Sequence, residues 1–242
     1  MTTAGSSTAH ATSTLLTLAD GRFPAGGHAH SGGLEEAVGD GRARTIDDLG
    51  SFLAGRLHTV GRVEASQAAF AWLVAPSATR LALLHAEAAA RSPSPAQRDA
   101  STAQGRALLR AAKNVWPAAR FDGISAAAAQ LARGPMYAIV LGAVGRAIGL
   151  GIAEVALVAA QGAVSGPAWA STRLLGTDPF AVMGCLAKLA PTIEEIAHHA
   201  VAQARDAVAA GDKGASLPAC AAPLLEIGAE RHACWEVRLF AS

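Results

Sequence analysis

Thr45-Ile46-Asp47-Asp48-Leu49-Gly50-Ser51-Phe52-Leu53-Ala54-Gly55-Arg56-Leu57-His58-Thr59-Val60 is the stretch that decides the fold. A threonine followed by two acids reads as a helix start, since its side chain can cap free backbone N–H groups and carboxylates suit the positive end of the helix dipole. Behind it, Ile46, Leu49, Leu53, Leu57 and Val60, then Ala71 and Val74, recur at the 3.6-residue spacing of one helix face. Glu64 and Gln67 fall on the same stripe. Two explanations stay open for them: they face a partner or a polar channel, or the helix bends near Gly61.

The same signals repeat on both sides. Leu15, Leu16 and Leu18 begin a short helix that stops at Asp20-Gly21, and Pro76 opens one carrying Leu81, Leu83, Leu84 and Ala88. Ser94-Pro95-Ala96-Gln97 combines an N-cap, a proline at the first helical position and a glutamine at the third, ahead of a helix ending near Trp116-Pro117. Apolar segments at Phe121–Leu131, Met136–Ile148 and Gly151–Val164 follow. Asp178-Pro179 starts another helix, and Pro191-Thr192 with Glu195 starts the last long one. No segment alternates as a strand would. The expected fold is an all-α single-domain bundle of about eight to ten helices with mobile ends: a disordered Ser/Thr/Ala leader over 1–13, a helical body over 14–222 and a partner-binding tail over 223–242.

Composition agrees. Half of the 242 residues are hydrophobic, mostly alanine and leucine, the strongest helix formers. Twenty basic residues against 19 acidic ones leave a net charge of +1, with no basic block to hold nucleic acid. Low charge on an apolar chain suits contact with partners or with a second copy. The apolar stretch from Met136 to Val164 is broken by Arg146, Glu154 and several glycines, so it reads as core helices rather than a membrane span. The leader lacks the order of a signal peptide, and the chain is expected in the cytoplasm.

Catalytic signatures are missing: there is no GxxxxGK[ST], no GxSxG and no HExxH. Gly142, Gly145, Gly149 and Gly151 lack dinucleotide-binding spacing and are expected to let helices pack closely. Cys185, Cys220 and Cys234 form no zinc pattern and read as incidental thiols. His198 and His199 are helix neighbours pointing about 100° apart and do not easily share one ion. His28 and His30 could do so in an extended loop, but no third or fourth ligand is evident, so they are weak metal candidates and no firmly bound cofactor is expected.

The loop holding them is the most individual feature. Leu18-Ala19-Asp20, Phe23-Pro24-x-Gly26-Gly27 and His30-Ser31-x-Gly33-Leu34-Glu35 resemble the N-terminal signature of the UreF family of urease accessory proteins. Arg98, Ser101, Gly105, Arg106, Leu108 and Leu109 resemble its central pattern. Val164-Ser165 through Ala170, Arg173 and Leu174 resemble a third segment, and Arg231-His232 with Arg238-Leu239-Phe240 and Ser242 its C-terminal end. His28 stands where the family has an aromatic, Leu174–Asp178 lacks its proline and glutamine, and Ala233, Glu236, Val237 and Ala241 depart in the tail, which marks a divergent branch.

The resemblance implies an all-helical, dimeric, non-enzymatic chaperone for nickel insertion into urease. It would scaffold a UreD (UreH) protein and the GTPase UreG on apo-urease, with nickel passing through the assembled complex. It places partner contacts at Phe23, Pro24, Gly26, Gly27, His30, Ser31, Gly33 and Glu35, at Arg98, Arg106 and Arg173, and at Arg231, His232, Arg238, Leu239 and Phe240. The last five are expected to order against the body when the UreD-type partner binds. Two other readings stay open: a GTPase activator supplying an arginine from among Arg22, Arg98, Arg106 and Arg173, and a direct nickel carrier using His28 and His30 with Cys234 or His232.

Overall fold

The structure, a computed structural model, describes residues 4–241, with side chains from Thr12 onward. Eleven α-helices and no strand occur among them: α1 (Ala4–Ala19), α2 (Leu34–Gly39), α3 (Ile46–Arg56), α4 (Arg62–Val74), α5 (Ala78–Ala90), α6 (Pro95–Val115), α7 (Asp122–Gln130), α8 (Tyr137–Ala147), α9 (Ile152–Leu174), α10 (Pro179–Ala209) and α11 (Pro223–Ala233). A π-helical turn, Leu57–Gly61, joins α3 to α4, so these two form one rod and the bundle has ten. The all-α expectation holds.

Most starts are where the sequence places them. Thr45 accepts from the backbone N–H of Asp48 (3.1 Å) and Asp48 returns to that of Thr45 (2.9 Å), a complete capping box. Ser94 caps α6 with Pro95 at N1, and the Asp178 side chain accepts from Phe180 and Ala181 with Pro179 at N1.

α4 is the central post, packed against α8, α9 and α10. Its Ala65, Ala68, Ala69, Phe70 and Ala71 are fully buried, so it touches protein on nearly every side. Small residues make this possible. A side chain at Gly142 of α8 would collide with the Ala68 carbonyl and the Ala71 side chain of α4, and one at Gly145 would strike Val155. Those two glycines serve close packing as expected. Gly149 instead takes a left-handed turn after α8, and Gly151 caps α9.

Two expectations need correcting. Pro191 does not start a helix: α10 runs through it, because Val182 and Leu186 before it and Ile193, Ile196, Ala197 and Ala200 after it bury one continuous face. That burial outweighs the roughly 3 kcal/mol a proline costs inside a helix. Likewise α9 continues past Val164, through Pro167, to Leu174. At the other end α1 spans Ala4–Ala19, where alanine favours the helix and Leu18 anchors its end in the core. The first three leader residues and Ser242 lie outside the described residues.

Candidate functional site at the glycine-rich loop and C-terminal segment

The loop after α1 is built on one aromatic contact. Phe23 is buried and stacks on Trp116 at the end of α6, with ring centroids 5.5 Å apart. Pro24, Gly27 and His28 face solvent. A single 3₁₀ turn over Gly27–Ala29 leads to an extended His30, then to Gly32 (φ +60°) and Gly33 (φ +91°). Two successive left-handed residues reverse the chain into α2, a conformation open to glycine at little cost. Ser31 is fully buried, and its hydroxyl accepts the Glu35 N–H (3.3 Å).

Glu35 then gathers the other end of the chain. Its carboxylate accepts the backbone N–H groups of Leu239 (2.7 Å) and Phe240 (3.0 Å), and His232 Nε2 lies 2.9 Å away, the last two contacts buried and the first partly so. Three donors to one buried carboxylate make a strong, directional anchor. Phe240 is buried, with the Arg173 guanidinium over its ring at 5.3 Å, and Ala241 N–H donates to Ala29 O (2.6 Å). Beside this, buried Glu36 pairs with Arg42 and with Arg231 (3.3 Å), which also reaches Asp40 (3.0 Å). Arg231 holds the Asp40 carboxyl below its ordinary pKa, with Arg42 adding to the effect.

The C-terminal segment packs on the body: α11 lies on α2 and α6, and residues 239–241 bond to α2 and the loop. On the α6 side, Glu230 bonds the Ser94 hydroxyl and accepts Ala96 N–H (2.9 Å), while Gln97 donates to Leu225 O (3.0 Å).

His30, Ser31, Gly33, Glu35, Arg173, Arg231, His232, Leu239 and Phe240 therefore meet in one place, although they come from distant parts of the chain. Arg98 and Arg106 are used otherwise. Arg98 donates to the carbonyls of Ser92 and Pro93 (3.0 Å to the latter), and Arg106 to that of Arg133. Arg22 is exposed and paired with Asp20 at 2.7 Å, and Arg238 is exposed. No three His, Cys, Asp or Glu side chains converge as a metal-ligand set among the described residues. Burial lowers the His30 pKa, and the neighbouring His28 lowers it further.

Behind the loop lies a cavity of about 190 Å³, lined by His30, Gly32, Arg56, Glu64, Gln67 and Cys220 among others. The stripe's polar residues are explained in part by a π turn that shifts the helical register before them, and Glu64 and Gln67 line this cavity. Burial raises the Glu64 pKa, and the Arg56 charge opposes that rise. Arg56 itself escaped sequence reasoning. It donates from Nη1 to Gly32 O (2.8 Å) and from Nε to Ala163 O (2.7 Å).

Comparison with known proteins fits this architecture. The family model described as UreF matches residues 43–190, more than half of the chain. The chain belongs to the UreF family. It is 39% identical over 229 residues to the urease accessory protein UreF of Mycolicibacterium vanbaalenii, covering 95% of this chain and 98% of that one. It is 38% identical over 231 residues to the UreF of Mycobacterium marinum, with 94% and 97% covered. With that of Mycobacterium tuberculosis it shares 37% over 221 residues, covering 90% and 92%. The loop and C-terminal segment fall outside the matched family span, but the pairwise likeness takes in nearly the whole chain. UreF proteins are accessory proteins of urease maturation rather than enzymes. No helix of the described chain is long and apolar enough to cross a membrane.

Proposed function

We propose that this chain is a cytoplasmic nickel-insertion chaperone for urease, a homodimeric scaffold that holds a UreD-type (UreH) protein and the GTPase UreG on apo-urease. The observation that carries the reading is the surface that the glycine-rich loop and the C-terminal segment build together around Glu35. Apolar side chains crown its C-terminal side: Leu224, Ile227, Val237 and Leu239 are exposed on and after α11. Exposed apolar side chains gathered on one face of a folded protein mark a site of protein–protein contact. They support a preformed docking face for the UreD-type partner, with the loop facing UreG. Phe180 and Met183, one turn apart and exposed on α10, support a second copy as a further contact. Nickel is cargo of the assembly on this reading.

Scaffolding is favoured over a catalytic arginine because Arg22 is paired with Asp20, Arg98 and Arg106 are committed to backbone carbonyls and Arg173 to the Phe240 ring. It is favoured over a nickel carrier because no third His, Cys, Asp or Glu side chain joins His28 and His30 as a ligand set among the described residues. The test is capture of the UreD-type partner by wild type, Phe240→Ala and Glu35→Ala. Either substitution should weaken capture by about tenfold or more, corresponding to roughly 1.4 kcal/mol. Unchanged capture by both folded variants would remove the C-terminal face from the interface.

A further inference from the structure

An α-helix binds the N–H of each residue to the carbonyl four residues back, and a proline has no N–H to give. Pro167, inside α9, therefore leaves the carbonyl of Ala163 without its helical donor. That is the oxygen to which Arg56 Nε donates, at 2.7 Å. The same guanidinium donates from Nη1 to Gly32 O at 2.8 Å, in the first of the two left-handed glycines that turn the loop into α2. The three residues are also in contact. A side chain at position 32 would run into the Pro167 ring and the Arg56 guanidinium. Glu64 is the carboxylate whose charge Arg56 feels, yet no ion pair joins the two, so backbone oxygens are what hold the guanidinium. A planar, forked donor meeting two fixed carbonyls sets direction as well as distance.

We propose that Arg56 is the positioning residue of the glycine-rich loop: seated on the carbonyl that Pro167 vacates, its guanidinium fixes the Gly32 peptide and so the shape of the face that residues 26–33 present. The inference rests on the reading above where it takes that face to be the one offered to the GTPase. Arg56 touches the loop from behind, beside the cavity, and acts on a partner only through the loop.

The experiment is hydrogen exchange by mass spectrometry on the full-length protein, paired with capture of the GTPase partner, for wild type, Arg56→Met, Arg56→Lys and Pro167→Ala. Arg56→Met should raise exchange in peptides covering 26–34 about tenfold or more, while α4 and α8 exchange as in wild type, and capture should fall by a similar factor. Arg56→Lys keeps the charge but reaches one carbonyl at most, so it should lie between. Pro167→Ala gives Ala163 O a helical donor that competes with Arg56. It should loosen the loop without loosening α9, and it keeps the test open if Arg56→Met does not fold. Loop exchange unchanged in the folded variants would overturn the proposal. Faster loop exchange with undiminished capture would leave Arg56 as the loop's positioning residue and overturn the loop's role as the GTPase face.

Discussion

Asp212 sits in the irregular segment after α10, where its carboxylate accepts the backbone N–H groups of Gly214 and Ser216, both at 2.7 Å. Its pKa is lowered from 3.8 to about 2, chiefly by the Ser216 side chain and then by the backbone N–H groups of Ala215, Ser216 and Gly214, with slight burial acting the other way. Folding lowers this pKa, so the ionised form stabilises the turn; its contribution is complete above about pH 5 and is lost as pH falls toward 2. An NMR titration should show the Asp212 carboxyl ionising near the lower value in the native protein, and a midpoint near 3.8 would contradict the hydrogen-bonded turn. Single residues were unevenly legible from sequence. Phe240 and His232 could be singled out, but a free tail hid that they dock on Glu35, since hydrogen bonds between residues about 200 positions apart leave no local pattern. Arg56 was hidden for the opposite reason: its partners are backbone oxygens, which no side-chain motif records.

At the scale of elements, caps and stripes were readable wherever local chemistry decides. Thr45, Ser94 and Asp178 cap the helices they were expected to cap. Prolines misled, because tertiary burial overrides propensity in α9 and α10. The two are not equivalent. Pro167 has a substitute donor for its vacated carbonyl in Arg56, whereas Pro191 breaks the ladder near the exposed Ala187. Pro191→Ala should therefore stabilise the protein by about 1–2 kcal/mol, as a lost helical bond is restored without strain. Thermal unfolding checks this; a lower midpoint for Pro191→Ala would mean that the proline sets a bend the bundle requires. The π turn at Leu57–Gly61 belongs to the same scale. Periodicity shows that a stripe changes character at Glu64, but not that one extra residue per turn is what changes it.

Over the whole molecule, helix content and the absence of catalytic motifs could be read from composition and pattern, and the resemblance named the family. Which ends meet could not be read, because the loop and the C-terminal segment are joined by α2–α11 packing and by the Ala241–Ala29 backbone bond, between residues far apart in sequence. The meeting matters because it turns two separate candidate segments into one face before any partner arrives. The most direct test is size-exclusion chromatography with light scattering, on the protein alone and mixed with its UreD-type and UreG-type partners. The account predicts a homodimer that enters a single complex with both; a chain that elutes apart from both partners would contradict it.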